Sequence, residues 1–256
     1  MAFIQATPTN LLTFEEQSKK IKYNEEQKKL FNKYFPNTVF DRIHCGFALH
    51  YYLSDEQSWL NCCTNIKNHL REGGYFIFET YDGNLVKEKL KDTNKYTLHY
   101  DMNGVKTILT EIVKKYDDSN SSFYGNAIDV YMSWISEEGT YLTEYLVDPD
   151  FVIDSLDKNS DLELVETGLF KDIYNNSKTY LEYAKDNDAI IQIQKSSKDW
   201  ADFYTDIDPL NEKLREITFL NRYYVFKKRE RNLKETFNKY YKDKKISVLT
   251  EKFKHK

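Results

Sequence analysis

Apolar and polar positions along residues 39–84 predict a strand, a helix and a second strand. Residues 39–45 form a short, largely apolar run, and Trp59, Cys63, Ile66 and Leu70 then recur at the spacing of one helix face. Residues 75–79 form a second apolar run, which a polar turn follows at residues 80–84. This order is typical of a βαβ unit in a parallel sheet.

The ends of the predicted helix carry their own signals. Ser54 and Gln57 have the spacing of a capping box, which predicts that the helix starts at Ser54. Gly73 and Gly74 follow the last apolar position, where glycine is a common left-handed helix end.

The remaining pattern supplies further layers of an α/β fold. Residues 13–35 predict a charged helix with a thin apolar stripe, and residues 175–188 and 206–215 predict polar connecting or helical segments. Strands are predicted at residues 3–6, 105–115, 122–133, 141–147, 162–166 and 223–227. The strands at residues 105–115, 122–133 and 141–147 predict an antiparallel insertion that covers the substrate side of the sheet.

Length and composition suit one domain inside a cell. The 256 residues are enough for one α/β domain, and no apolar run approaches the length that crosses a membrane. The chain has three cysteines (Cys45, Cys62 and Cys63) and no Cys-x-x-Cys pair, so neither a disulfide framework nor a zinc site is predicted. A reducing, cytoplasmic setting without membrane attachment is expected.

Charge separates the chain into two parts. The net charge is −4, but residues 227–256 carry 12 basic and 4 acidic residues, which leaves the preceding part strongly acidic. We therefore divide the chain into a domain at residues 1–229 and a basic helix or tail at residues 230–256. The tail either contacts RNA phosphates or an acidic partner, or is a solvated terminal helix, and its charge leaves both readings open.

Three side chains at the end of the first predicted strand suggest a ligand site. Phe47, His50 and Tyr51 follow that strand directly, and ligands of open α/β sheets bind at the carboxyl ends of the strands. A flat aromatic ligand with hydrogen-bonding edges would suit them. The alternative is that both aromatic rings pack in a core and His50 is a satisfied buried histidine.

Residues 47–51 (Phe-Ala-Leu-His-Tyr) and 70–83 (Leu-Arg-Glu-Gly-Gly-Tyr-Phe-Ile-Phe-Glu-Thr-Tyr-Asp-Gly) together resemble the mRNA cap guanine-N7 methyltransferases, in particular those of viral capping enzymes. Residues 141–148 are similar to the acidic cap-binding segment of that family, and residues 222–229 resemble its last strand. The resemblance spans approximately residues 3–229. It implies a Rossmann-like class I methyltransferase sheet whose last strand is antiparallel.

The resemblance also implies a reaction and a binding site. The family transfers a methyl group from S-adenosylmethionine to N7 of the cap guanine of RNA. That nitrogen has a free lone pair, so catalysis rests on positioning and no catalytic acid or base is predicted. The implied cap-guanine residues are Phe47, His50, Tyr51, Tyr81, Glu144 and Tyr223.

Two of these positions depart from the family pattern. Tyr81 stands where cellular relatives usually carry proline, so the wall of the pocket is expected to differ there from that of the relatives. The family pocket also contains a C-terminal tyrosine. The register places Asn221 near that position, and Tyr223 is the neighbouring candidate.

The donor-binding half of the family pattern has no counterpart here. The family binds S-adenosylmethionine through a glycine-rich turn after its first strand and an acidic residue after its second, and nothing in the sequence resembles either. Thr7 stands where the family has aspartate and Gly46 where it has glutamine, which leaves Thr7, Gly46 and Phe47 as the implied donor-binding positions. We expect a sheet that is incomplete on the donor side, and weak donor binding by this chain alone.

Three functions therefore remain open from the sequence. The first is a cap methyltransferase domain that is cut from a longer enzyme or completed by another capping-enzyme domain or subunit, acting in the cytoplasm, a viral factory or a virion. The second is an inactive relative that binds capped RNA or stabilises a capping enzyme. The third is another Rossmann-like methyltransferase, because fold analogy alone does not settle function.

Overall fold

The computed structural model describes residues 6–7, 9–35, 38–102, 104–185 and 209–230. The helices are α1 (Phe14–Ser18), α2 (Glu25–Tyr34), α3 (Glu56–His69), α4 (Gly83–Lys89), α5 (Pro149–Ser160), α6 (Phe170–Lys185) and α7 (Pro209–Thr218). The strands are β1 (Phe40–Gly46), β2 (Leu70–Tyr81), β3 (Lys95–Met102), β4 (Val105–Lys114), β5 (Ala127–Met132), β6 (Leu142–Tyr145), β7 (Leu162–Leu169) and β8 (Asn221–Lys228). A 3₁₀ helix at Leu49–Ser54 joins β1 to α3.

The first sheet has the strand order β1-β2-β8-β7. Strand β1 pairs with β2 in parallel, and β8 is antiparallel to both β2 and β7. Strands β1, β2 and β7 therefore run in one direction and the last strand runs against them, which confirms the predicted class of sheet. The strand expected at residues 3–6 lies almost entirely outside the described residues, so an incomplete donor side stays a prediction.

The second sheet is fully antiparallel, with the order β3-β4-β5-β6. It confirms the predicted antiparallel insertion. Strand β3 was not predicted from the sequence. It forms because Leu98 packs into the core beside β4, with half-buried Tyr96 and Tyr100 against the same cluster, while the intervening residues are polar.

Helix α3 has the predicted buried face but different ends. Its N-cap is Asp55 and not Ser54, because the Asp55 carboxylate accepts a hydrogen bond from the Ser58 backbone N–H at 2.8 Å. The helix ends at His69, before the two glycines. Gly73 lies inside β2 with φ +71, where the register between β1 and β2 shifts, so this glycine accommodates a bulge and not a helix end.

Other predicted segments are partly revised. The single helix expected at residues 13–35 is two helices, α1 and α2, each with its own N-cap. Helices α6 and α7 occupy most of residues 175–188 and 206–215, although residues 186–188 and 206–208 lie outside the described part, as does the basic tail after residue 230. Within the described residues, no helix combines the length and apolarity of a membrane span.

Two hydrophobic cores meet at β2. Helices α3 and α5 pack on one face of the first sheet, where Trp59, Phe78 and Tyr224 are fully buried and the Trp59 indole N–H donates to Ser155 at 2.7 Å. The second core joins α4, α7 and the antiparallel sheet. Phe78 belongs to the first core and Tyr81 to the second, so the end of β2 lies between the two sheets.

Candidate functional site

A cavity of about 420 Å³ opens between the two sheets, at the carboxyl ends of β1 and β2. Five of the six residues that the resemblance assigned to a guanine site line it: Phe47, His50, Tyr51, Tyr81 and Glu144. Further lining residues come from the inserted sheet and from the ends of α6, α7 and β8. They are Thr80, Met132, Trp134, Ile135, Leu142, Phe170, Ile217, Thr218 and Asn221.

Glu144 and His50 form the floor of this cavity. They are only 8% and 5% exposed, and Nδ1 of His50 lies 3.6 Å from Oε2 of Glu144. Burial raises the pKa of Glu144 to about 7 and lowers the pKa of His50 to about 4. At neutral pH the imidazole is therefore uncharged, and the carboxyl group is close to the midpoint of its titration.

Three buried polar atoms beside the cavity have no hydrogen-bond partner among the described residues. They are Nε2 of His50, Oγ1 of Thr80 and the hydroxyl of Tyr81. Buried polar groups are normally paired, because leaving one unpaired costs about 1–3 kcal/mol. Burial also raises the pKa of Tyr81, so its hydroxyl remains a neutral donor. Three such atoms beside one cavity mark it as a candidate ligand site.

Aromatic rings provide flat walls above this floor. Phe47 has φ +48, a left-handed conformation that is uncommon for a bulky residue and that clusters at functional sites. Its N–H donates to the Glu79 carbonyl at 3.1 Å, and its ring meets Phe170 edge-on with 6.0 Å between centroids. The Tyr51 ring lies 4.1 Å from the His50 ring, between centroids. The cavity therefore offers planar surfaces together with a hydrogen-bonding floor.

The structure does not bring every predicted residue to this cavity. Tyr223 lies on β8, and its hydroxyl donates to Oε1 of Glu166 on the neighbouring strand at 2.6 Å. Asn221, two residues earlier, lines the cavity, and its side-chain amide donates to the Thr218 carbonyl at 3.0 Å. The structure therefore brings Asn221, and not Tyr223, to the cavity.

The implied donor-binding residues fall in two places. Gly46 ends β1 opposite Glu79, directly before Phe47, beside the cavity. Thr7 belongs to an N-terminal loop, where its N–H donates to Oε1 of buried Gln17 at 2.6 Å. The structure therefore keeps Gly46 and Phe47 together at the end of β1, and a donor-binding role for these residues and for Thr7 stays a prediction.

Sequence reasoning missed several lining residues, notably Trp134 and Ile135. Both lie in the loop between β5 and β6, in a stretch that otherwise reads Ser-Glu-Glu-Gly-Thr. Two adjacent large apolar residues in a polar loop were the available signal. Thr80 and Phe170 gave none, because only the fold brings them next to His50 and Glu144.

Comparison with known proteins identifies the family of the chain. Residues 15–229 match the model of the mRNA (guanine-N(7))-methyltransferase domain. The fold and this match define a methyltransferase domain of the class that uses S-adenosylmethionine as methyl donor. Within that class, the chain belongs to the mRNA (guanine-N(7))-methyltransferase domain family.

A curated relative points the same way. The chain is 42% identical over 241 residues to a "Probable mRNA-capping enzyme" of Acanthamoeba polyphaga mimivirus, a match that covers 89% of this chain and 20% of the relative. The chain therefore spans about a fifth of the length of the curated relative that it matches.

Solved structures also show similarity at low identity. An S-adenosylmethionine-dependent methyltransferase from Clostridium acetobutylicum has 14% identity and a TM-score of 0.39, with 81% of this chain and 73% of that chain covered. The CcbJ methyltransferase from Streptomyces caelestis has 11% identity and a TM-score of 0.39, with 75% and 62% covered.

Proposed function

We propose that the cavity binds the guanine of an RNA cap and holds it for methylation at N7. The observation that carries this proposal is the buried floor of Glu144 and His50 between aromatic walls. Capped RNA is then the substrate. Other segments or subunits of a capping enzyme are the proposed partners, in a viral factory or a virion.

Guanine fits the floor because of the hydrogen-bonding pattern along its edge. Its ring N–H and its exocyclic amine are adjacent donors, and one carboxylate can accept from both in a charge-assisted pair. Glu144 supplies that carboxylate from β6. The unpaired polar atoms of His50, Thr80 and Tyr81 remain for other polar atoms of the base and its ribose.

The chemistry requires positioning more than acid or base catalysis. N7 of guanine carries a free lone pair, so no proton has to leave before the methyl group arrives. S-adenosylmethionine would supply an activated methyl group when it is bound, and Gly46 and Phe47, at the end of β1, are the residues proposed to contact it. Methyl transfer is faster when the guanine is held in one orientation, because the reacting atoms are already positioned. The Glu144 carboxylate also stabilises the positive charge that develops on the purine.

Binding of a cap dinucleotide, compared with the matching uncapped nucleotide, tests the proposal. We expect clear preference for the capped ligand by calorimetric titration. Methylation of capped RNA at N7 by the protein, with labelled donor, would extend the result to activity. Equal affinity for capped and uncapped ligands would overturn the assignment of this cavity.

A further inference from the structure

The outer rim of the cavity is apolar, in contrast to its floor. Trp134 and Ile135 line it from the loop between β5 and β6, and they are 51% and 62% exposed. Phe47, 53% exposed, lines the cavity from the end of β1. Contiguous exposed apolar residues at the mouth of a pocket commonly mark a binding surface. The hydrogen bonds proposed between Glu144 and guanine do not involve these rim residues.

The loop that carries Trp134 is held at both ends. The N–H groups of Ile135 and Ser136 both donate to the Met132 carbonyl at 3.0 Å, which forms a tight turn directly after β5. At the other end, the Tyr141 hydroxyl donates to Oε1 of buried Glu111 at 2.5 Å. Because the turn and the buried anchor fix the loop, Trp134 can contact a ligand with a smaller entropy loss than a free loop would incur.

Glu111 is itself fixed by neighbours on the inserted sheet. It accepts a hydrogen bond from the Thr97 hydroxyl at 2.8 Å and pairs with Lys95 at 2.9 Å. Burial alone would raise the pKa of Glu111, but hydrogen bonds from Tyr141, Lys95 and Thr97 together hold it below its usual value, so the anchor is a carboxylate at neutral pH. The Tyr141 contact is therefore a charge-assisted hydrogen bond.

The apolar, aromatic rim of the cavity favours contact with a nucleobase over contact with phosphate groups. Among the described residues that line the cavity, none is lysine or arginine, so this described lining offers no ion pair to a phosphate chain. An exposed indole face is instead suited to stacking on a nucleobase, as aromatic side chains do in proteins that bind single-stranded nucleic acids.

We propose, on the basis of the proposed function, that Trp134 stacks on a nucleobase of the capped RNA. Two bases have this chemistry: the cap guanine itself and the first base of the transcript. Trp134 then adds a stacking contact to the hydrogen bonds made at Glu144, and the rim extends recognition beyond the buried edge of the guanine.

Calorimetric titration of Trp134→Ala and Trp134→Phe with a guanine–adenine cap dinucleotide tests this inference. Trp134→Ala should weaken binding roughly five- to a hundredfold, and Trp134→Phe should retain most of the affinity because it keeps a flat ring. Val105→Ala is the control, since Val105 is an exposed apolar residue of the same inserted sheet that does not line the cavity. Circular dichroism confirms that each variant is folded.

Guanosine triphosphate as a second ligand identifies the stacked base. If Trp134→Ala lowers the affinity for guanosine triphosphate and for the dinucleotide equally, Trp134 stacks on the cap guanine. If only the affinity for the dinucleotide falls, Trp134 stacks on the first transcribed base. Trp134→Ala binding both ligands as well as wild type overturns the inference while the cap site stands. A wild-type protein without preference for the capped ligand overturns the proposed function and this inference with it.

Discussion

Replacing Glu144 by glutamine changes the cavity floor with almost no change in shape. The amide oxygen can still accept one hydrogen bond from guanine, but the amide NH₂ then faces the second guanine donor. The variant loses a charge-assisted pair at a buried site, which costs about 1.5–3 kcal/mol. We therefore expect cap affinity to fall about ten- to a hundredfold.

The pKa of Glu144 adds a second, independent signature. With a pKa of about 7 in the free protein, Glu144 is about half ionised at pH 7 and about one tenth ionised at pH 6. Guanine binds the ionised form, so protonation competes with binding and affinity should be roughly fivefold lower at pH 6 than at pH 7. His50, with its pKa near 4, stays neutral over this range.

Calorimetric titration with an unmethylated cap dinucleotide at pH 6, 7 and 8 measures both effects. Wild type should show the pH slope, and Glu144→Gln should bind weakly with no slope. Glu163→Gln, an exposed change on β7, should behave as wild type. A Glu144→Gln variant that binds as wild type does, or that keeps the same slope, would refute the assignment of the carboxylate.

Three further outcomes follow from the same contacts. Tyr51→Phe should reduce cap affinity less than Glu144→Gln, because the ring that contacts the imidazole remains; calorimetry checks this with Tyr75→Phe, an exposed residue of β2 that does not line the cavity, as control. Glu144→Gln should be more stable than wild type at pH 8: its free energy of unfolding should be higher by up to about 3 kcal/mol. The folded-state pKa near 7 lies above the usual 4.5, so the stabilisation from protonated Glu144 is complete below pH 4.5 and lost as pH rises through 7. Urea unfolding at pH 4.5 and pH 8 should show the difference only at pH 8, and equal differences at both would contradict it. Asp82→Ala should cost about 3–5 kcal/mol in urea unfolding, because buried Asp82 accepts from Arg222 at 2.7 Å and caps α4. An unchanged midpoint would show that solvent replaces both contacts.

The parts of the fold that could be predicted are those where burial fixes the sequence period. Trp59, Ile66 and Leu70 share one face because that face packs into the first core, and the apolar runs of β1 and β2 follow from the sheet. Gly73 misled the prediction because a positive φ serves a bulge as well as a helix end. Asp55 is the N-cap because its carboxylate accepts from the Ser58 N–H, and the Ser54 hydroxyl donates to the same carboxylate.

The cavity-lining residues that could be assigned from the sequence are those in the segments that carry the family resemblance. Phe47, His50 and Tyr51 form one block, so a single resemblance indicated them together. Asn221 reaches the cavity from the start of β8 and Trp134 from the loop between β5 and β6, and no local pattern specifies that meeting. Tyr223 lies two residues after Asn221 on β8, and its hydroxyl donates to Glu166 on β7 and not into the cavity.

Binding of a guanine–adenine cap dinucleotide, compared with its adenine–adenine counterpart, tests the central claim most directly. Adenine presents an acceptor where guanine has its ring N–H, and it has no amine at C2, so in the same orientation its edge would offer no donor to the Glu144 carboxylate. The account predicts that wild type binds the guanine form at least about tenfold more tightly, as expected for loss of a charge-assisted pair. Equal affinity for the two dinucleotides would contradict it.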